Sequence, residues 1–499
     1  MELKEIVERS GGRWTGPGPP RHALVAELGT DSRTIGASSV FVALSGKRFD
    51  GHAHVLEAMR RGALSSIVSE ARLADLPASV GPYIAVDDPL TALERLARWN
   101  RDRLDMKVVA VTGSVGKTST KEFIATILGA QFRVRSAPKS FNNRLGVATT
   151  LLSADPRTQV LVAELGTSGP GEISRLSRLV RPHTVVITEI APAHLDGLGS
   201  LDGVISAKAE IFDGLVQGGT TVLRHGIEGF ERFSSRAVGP VITFGWAIGE
   251  APGAGPGPAF AVTDCERTTL GQDPSRGSGS SEYGYRFTIN GAESFLLPVP
   301  GRHNVLNAAA AIAVARDMGV PWELIRQAIA SCRLPPLRLQ VAEESGFVFV
   351  DDSYNANPAS MAAAISEWQS LRDGLSPGRS SPEERAGGPD RGASMVAVLG
   401  DMLEMGGDSR SLHEQVGRRL ASAGARLVVT VGTDSEWIAR ACLAEGGLLE
   451  TVHFPLAGDA LPFLKDNLQT GDRILFKGSR GIGLDVLVKD LRTWARARS

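Results

Sequence analysis

Thr112-Gly113-Ser114-Val115-Gly116-Lys117-Thr118-Ser119 follows the apolar run Val108-Val109-Ala110-Val111 and precedes Phe123, Ile124, Ile127 and Leu128, which mark one helical face. Strand, glycine loop and helix in that order can wrap phosphate oxygens with backbone N–H groups and the positive helix end. Lys117 can then reach the β- and γ-phosphates, and the Thr118 hydroxyl can hold Mg²⁺. The common loop has glycine five residues before its Gly-Lys pair. Here that position is Val111, leaving the shorter GxxGK[TS] pattern. An ordinary strand-to-helix turn is the competing reading, and the loop alone does not choose ATP over GTP.

Other polar residues stand where strands should end. Glu164 closes the run Val160-Leu161-Val162-Ala163, and His194 lies in the loop Ala191 to Asp196 after the run Thr184 to Ile190. Open α/β sheets bind ligands at such carboxyl ends, where a carboxylate can take Mg²⁺. Solvation of a strand end and packing of a loop are the plainer readings of the two. Lys208, in the helical stretch Ser206 to Phe212, reads by itself as a solvated lysine. Asn304 and Asn307, three apart at the start of an Ala-rich helix, can hydrogen-bond a base or ribose or cap the helix. Val350 to Pro358, with Asp351, Asp352, Tyr354, Asn355 and Asn357, joins a strand to a helix and is either a second ligand-binding edge or a capped turn.

These positions require α/β layers. The runs from Val108 onward lack alternation, as strands buried on both faces do, so a largely parallel sheet covered by helices is expected. Residues before about 105 alternate short strands, such as Val40 to Leu44 and Tyr83 to Val86, with helical stretches such as 53–61. A further series, Phe347 to Val350, Met395 to Leu399, Leu427 to Val431 and Arg473 to Phe476, predicts a doubly wound C-terminal domain. The expected fold is α/β in three domains: a small N-terminal α/β domain over 1–105, a central P-loop parallel-sheet ATPase-like domain over 106–332, and a C-terminal Rossmann-like domain over 333–499. Gly249 to Ser281 and Asp373 to Ala393, rich in Gly, Pro and Ser, read as mobile surface loops.

At 499 residues the chain is too long for one ordinary core. Its 54 Lys and Arg against 55 Asp and Glu give a net charge of −1, which offers no general attraction for nucleic acid or anionic membrane. Cys265, Cys332 and Cys442 share no CxxC spacing, which disfavours a disulfide framework or zinc knuckle. Neither a signal-peptide core nor a run of roughly 18 apolar residues occurs, so a soluble, cytoplasmic protein is expected.

Together these stretches resemble the Mur ligases of peptidoglycan synthesis. The resemblance covers nearly the whole chain: Asp31-Ser32-Arg33, TGSVGKTSTKE, FNNRLG, AELGTSGPGEI, HLDGLGS, AKAEIF, GRHNVLN, DDSYNANPASM, LGDMLEMG and KGSR. It implies an ATP-dependent ligase with UDP-MurNAc-tripeptide and D-Ala-D-Ala as small-molecule substrates, working through an acyl phosphate. It also implies that the loop from Gly113 to Ser119 binds ATP, with Lys117 stabilising the transferring phosphoryl group. Thr118 and Glu164 would hold one Mg²⁺ and His194 would help hold a second. Lys208 corresponds to a lysine that family members carbamylate with CO₂, which needs a neutral amine and hence a depressed pKa. Asn304, Asn307, Arg338 and Asp352 would meet ATP. Substrate contacts fall on Ser32 and Arg33 for the UDP end and on Asn142, Asn143, Tyr354, Asn355 and Asn357. Domain closure is implied, no membrane insertion, and a monomer is the expectation. A folylpolyglutamate synthase-like ligase shares the short loop but lacks a domain before it, and a nucleotide switch would not need Lys117, Glu164, His194 and Lys208 together.

Overall fold

A computed structural model describes residues 1–498 apart from 20–21, 47–48, 78, 139, 248–256, 271–282, 373–393 and 447–448. Among the described residues three large sheets follow one another along the chain, with a two-stranded ribbon of Ser45–Gly46 and Phe49–Asp50 in the segment of the first. The first orders its strands Arg13–Trp14, Tyr83–Val86, Ser65–Ser69, Ser39–Val42 and Glu27–Gly29; only the first pair is antiparallel. Helix Pro89–Arg103 then carries the chain to the second sheet, starting with Pro at its first turn and the Asp88 carboxylate accepting from the N–H groups of Leu90 and Thr91.

Among the described residues the central sheet has nine strands. From one edge it runs Val134–Ser136, Val160–Glu164, Lys107–Thr112, Thr184–Ile187, Thr220–Arg224, Val241–Trp246 and Phe260–Thr269, all parallel, then adds Tyr283–Ile289 and Glu293–Leu297 antiparallel. Val108, Val109, Ala110 and Val111 are buried because helices cover both faces, which is why that run carries no polar alternation. The carboxyl ends of Lys107–Thr112, Val160–Glu164 and Thr184–Ile187 lie side by side, so the loops bearing Lys117, Glu164 and His194 share one sheet edge.

The third sheet orders Gln340–Glu344, Phe347–Asp351, Arg473–Lys477, Met395–Gly400, Leu427–Val431 and Glu450–Phe454, parallel except for its first pair. Residues 331–339 connect it to the central domain, with Leu337 and Leu339 at φ 61° and 45°. Such torsions are rare for leucine and allow an abrupt change of direction. Among the described residues no helix is long and apolar enough to cross a membrane.

The expectation of a loop across 249–281 is corrected in its middle, where Phe260–Thr269 forms a ten-residue strand. Its Phe, Val and Thr residues favour a pleat, and it pairs with Val241–Trp246 on one side and Tyr283–Ile289 on the other. The Gly- and Pro-rich flanks hid this signal. The remainder of that stretch lies mostly outside the described residues, and 373–393 lies wholly outside them.

Glu94 joins the first helix layer to the central domain. It accepts from Arg144 Nε at 2.8 Å and Nη2 at 2.9 Å, and from Arg175 Nε at 3.1 Å. Burial opposes its charge, yet the two guanidinium groups outweigh that and hold its pKa below the usual glutamate range. Ionised Glu94 therefore adds stability that is complete above the free glutamate value near 4.3 and is lost as pH falls through its lower folded value. Glu94→Gln is expected to lower unfolding stability at pH 7 by about 1–3 kcal/mol. The gap should shrink below pH about 4 in urea titrations; a gap independent of pH would show that the ion cluster is not its source.

Candidate active site

The phosphate loop closes because two of its residues lack side chains. Gly113 has φ 145°, and a Cβ there would sit 2.2 Å from Thr188 Oγ1. Gly116 has φ 86°, and a Cβ would sit 2.5 Å from Asn307 Oδ1. Both torsions suit glycine alone. The loop is tied to the neighbouring strand end by Ser114 N–H donating to the Glu189 carbonyl at 2.6 Å and Thr188 Oγ1 donating to the Val115 carbonyl at 2.6 Å. Helix Lys117–Gly129 starts there, with its positive end at the loop. Val115 and Ser119, with Ser114 and Gly116, line the adjoining cleft.

Lys117 folds over its own loop, donating from Nζ to the Gly113 carbonyl at 2.7 Å. Burial first, and the Arg338 charge with it, lower its pKa, while Glu164 opposes the shift. Thr118 Oγ1 lies 3.1 Å from Ser140 Oγ and accepts from Arg338 Nη2 at 3.0 Å. Arg338 belongs to the connection before the third sheet, so the C-terminal part of the chain already touches the phosphate loop. Its guanidinium lies 4.4 Å from the centre of the Tyr354 ring, with Arg480 5.5 Å from the same centre.

Glu164 is 1% exposed at its strand end. Its Oε1 accepts from Asn142 Nδ2 at 2.9 Å, while its Oε2 is buried with no hydrogen-bond partner among the described residues. An orphaned anionic oxygen at a strand end beside the phosphate-loop lysine fits a hard cation such as Mg²⁺. No group of three or more His, Cys, Asp or Glu among the described residues is placed to hold a metal ion. A cation at Glu164 would therefore complete its shell with phosphate oxygens and water, the usual habit of Mg²⁺.

His194 has φ 54°, a left-handed torsion outside glycine. Its Nδ1 contacts the Glu404 carboxylate, and Asp196 N–H donates to the Glu404 carbonyl at 3.3 Å. Glu404 is left-handed too, at φ 63°. This pair of unusual torsions holds the histidine across the domain boundary while its ring lines the cleft with Glu164. Burial lowers the His194 pKa against the opposing pull of Glu404. Lys208, on helix Leu201–Ala209, is 1% exposed. Burial first, then the Lys117 charge, push its pKa well below that of free lysine. The solvated-lysine reading is excluded.

Asn304 and Asn307 line the cleft on helix Arg302–Asp317, though their amides are engaged. Asn304 Nδ2 donates to the Pro300 carbonyl at 2.8 Å, Asn307 Nδ2 donates to Asn304 Oδ1 at 2.9 Å, and Thr120 Oγ1 donates to Asn307 Oδ1 at 3.2 Å. Asp352 pairs through Oδ2 with Lys477 Nζ at 2.6 Å, and Lys477 also donates to the Asn355 carbonyl at 3.0 Å. Asn357 caps helix Pro358–Ser370 by accepting from Ser360 N–H at 2.9 Å, and Asn143 caps Arg144–Leu152 by accepting from Gly146 N–H at 2.9 Å. Both caps also border the clefts. Ser32 and Arg33 stand apart after the strand Glu27–Gly29: Ser32 Oγ donates to Glu57 Oε2 at 2.9 Å, and Arg33 is bidentate to Asp31. Neither borders the clefts around the phosphate loop.

Sequence reasoning passed over Lys477, Glu404 and Ser140 as site residues. The first two lie inside the quoted KGSR and LGDMLEMG stretches, so a signal was present without a role. Ser140 had none, because its neighbour Thr118 is far away in the chain.

Comparison with known proteins agrees over almost the full length. Three family descriptions match: Mur ligase family, catalytic domain, over residues 24–101; Mur ligase middle domain over 111–315; and Mur ligase, glutamate ligase domain, over 385–480. The chain is 33% identical over 500 residues to the UDP-N-acetylmuramoyl-tripeptide--D-alanyl-D-alanine ligase of Bacillus subtilis, covering 98% of each. It is 34% identical over 471 residues to the Escherichia coli enzyme of that name, covering 93% of each. A crystal structure of MurF from Acinetobacter baumannii superposes with a TM-score of 0.79 at 28% identity, covering 99% of this chain and 98% of that one. With three consecutive family matches, identity at this level and the same three-sheet fold, this chain belongs to the Mur ligase family.

Proposed function

We propose that this chain is an ATP-dependent ligase that joins D-alanyl-D-alanine to the terminal carboxylate of UDP-MurNAc-tripeptide, forming the pentapeptide precursor of peptidoglycan. The observation that carries this reading is the shared cleft, in which Lys117, Thr118, Glu164 and His194 of the central domain face Arg338, Tyr354 and Asn355 of the C-terminal part. A ligase of this class needs ATP and acceptor carboxylate on one side and an attacking amine on the other, held in line. The functional division follows the sheets: 1–105 for the UDP end, with Ser32 and Arg33 as contacts, 106–332 for ATP, and 333–499 for closure and the dipeptide.

Lys117 and the loop N–H groups bind the β- and γ-phosphates, and Arg338 adds a second positive charge at Thr118, where charge spreads during phosphoryl transfer. Mg²⁺ bound by Thr118 and Glu164 would neutralise phosphate charge and orient the γ-phosphoryl group. His194, fixed by Glu404, and Lys208 would help hold a second ion. The substrate carboxylate becomes an acyl phosphate, the dipeptide amine attacks its carbonyl carbon, and phosphate leaves. Asn142, held by Glu164, and Tyr354 and Asn355 border the substrate side of this cleft. Asn304, Asn307 and Asp352 border its nucleotide side, the asparagines chiefly by bracing the loop. The buried, neutral-leaning Lys208 amine suits carbamylation by CO₂, which converts a cationic side chain into an anionic oxygen donor. We place the enzyme in the cytoplasm, acting as a monomer.

The test is phosphate release from ATP and Mg²⁺ with each substrate alone and with both, following the UDP-linked product by mass. Release that needs both, with a gain of one dipeptide minus water, is expected; release with neither, or only with a folate and glutamate, would sink the assignment. Lys117→Ala should reduce kcat by at least about 10³-fold, in line with losing a preorganised charge at the transition state. Lys208→Ala should abolish ligation, with bicarbonate or short carboxylic acids restoring it incompletely. Labelled ¹³C-bicarbonate should give a carbamate resonance in the parent protein that the variant lacks; the same resonance in both would remove Lys208 from this role.

A further inference from the structure

Away from the phosphates, a second polar cluster joins the central and C-terminal domains. Helix Pro358–Ser370 begins at the nucleotide cleft, where Asn357, Ser360 and Ala363 border it, and runs toward the outer antiparallel strands of the central sheet. One turn before its end, Glu367 is 3% exposed. Its Oε1 accepts from Tyr283 Oη at 2.9 Å, and its Oε2 accepts from Tyr285 Oη at 2.8 Å and from Arg302 N–H at 3.2 Å.

All three donors come from the central domain, whereas the carboxylate comes from the C-terminal one. Tyr283 and Tyr285 alternate with Gly284 on one strand and so project from the same face. Arg302 opens the helix that carries Asn304 and Asn307 to the phosphate loop. Arg267 secures the helix end beside them, donating from Nη1 to the Ser370 carbonyl and to Ser370 Oγ at 3.2 Å, with its guanidinium 5.5 Å from the Tyr283 ring centre. A cation at the last carbonyls of a helix is favourable.

A carboxylate leaves water only where donors replace its hydration. Here that set is complete only when the two domains are together, so the cluster rewards one relative placement and penalises near misses. Burial first, and the Glu367 charge next, raise the pKa of both phenols, which keeps them protonated as donors.

We propose that Glu367 is a positioning residue for the ligation: with the hydroxyls of Tyr283 and Tyr285 it forms a latch that registers the C-terminal domain over the nucleotide cleft. This rests on nucleotide binding in that cleft, and it assigns the cluster to closure and leaves phosphoryl transfer to the loop. Weakening the latch lowers the fraction of closed molecules, and apparent nucleotide affinity falls by that fraction. Bond making in the closed complex is untouched.

The test uses the full chain with Tyr283→Phe and Tyr285→Phe together, which removes two hydroxyls and leaves the ring volumes. Small-angle X-ray scattering without nucleotide, and with the non-hydrolysable analogue AMP-PNP and Mg²⁺, should show a larger radius of gyration than the parent. KM for ATP should rise on the order of tenfold with kcat within about twofold. Adding Glu367→Leu should bring both back toward the parent, because the carboxylate that needed donors is gone. Glu367→Gln serves as the milder variant, with a smaller rise in KM and the same kcat. Parent-like scattering and KM in the tyrosine pair or in Glu367→Gln would overturn the latch. So would a fall in kcat at unchanged KM, which would place the cluster in the chemistry. Scattering without nucleotide reads the latch even if the substrate assignment fails.

Discussion

The site depends on one close approach, that of Asn307 to Gly116. A phosphate loop works by aiming backbone N–H groups inward, and here that curvature leaves no room for a Cβ between the loop and the asparagine. Asn307 reaches this position because helix Arg302–Asp317 packs tightly against the loop helix Lys117–Gly129. Ala308, Ala309, Ala310 and Ala311 are all fully buried along it, and small side chains bring two helices together. The alanine run that reads as bland composition lets this helix pack closely on every side, the loop helix among its neighbours. The relay of bonds from Thr120 to Asn307, from Asn307 to Asn304 and from Asn304 to the Pro300 carbonyl then fixes rotation about that contact.

Charge distribution follows from the same crowding. Lys117, Lys208 and Arg338 lie near one buried carboxylate, Glu164; after burial, the Arg338 charge lowers the Lys117 pKa and the Lys117 charge lowers that of Lys208. Lys117 and Arg338 bring two positive charges to the phosphate loop from opposite sides of the domain boundary, an arrangement costly without phosphate and complementary with it. Closure and catalysis are linked for this reason: Arg338 and the Glu404 loop come from the far side of the boundary, and only a closed cleft excludes enough water to strengthen their fields. The cleft needs separate stabilising contacts, since like charges facing one another would otherwise favour opening. The Glu367 cluster supplies attraction between the domains away from the phosphates.

The chemistry-bearing residues were legible in the sequence wherever local pattern and function coincide. Val108 to Ser119 reads as strand, loop and helix because each follows from neighbours along the chain. Phe260–Thr269 was missed because its pairing partners, and not its flanks, make it a strand. Asn143 and Asn357 illustrate a different difficulty: each borders a cleft and also caps a helix, and the sequence shows both uses as the same residue.

By itself, then, the sequence determined the three α/β layers, the loop that can hold phosphate and the residues standing at carboxyl ends of strands, since these follow from periodicity and short-range spacing. Only the tertiary structure decided that Lys208 is buried, that Glu164 keeps one oxygen without a partner among the described residues, that His194 is held by Glu404 and that Arg338 reaches Thr118. Burial and charge are set by which distant segments meet. Glu404 is separated from His194 by 210 residues and Arg338 from Thr118 by 220, far beyond the reach of local pattern.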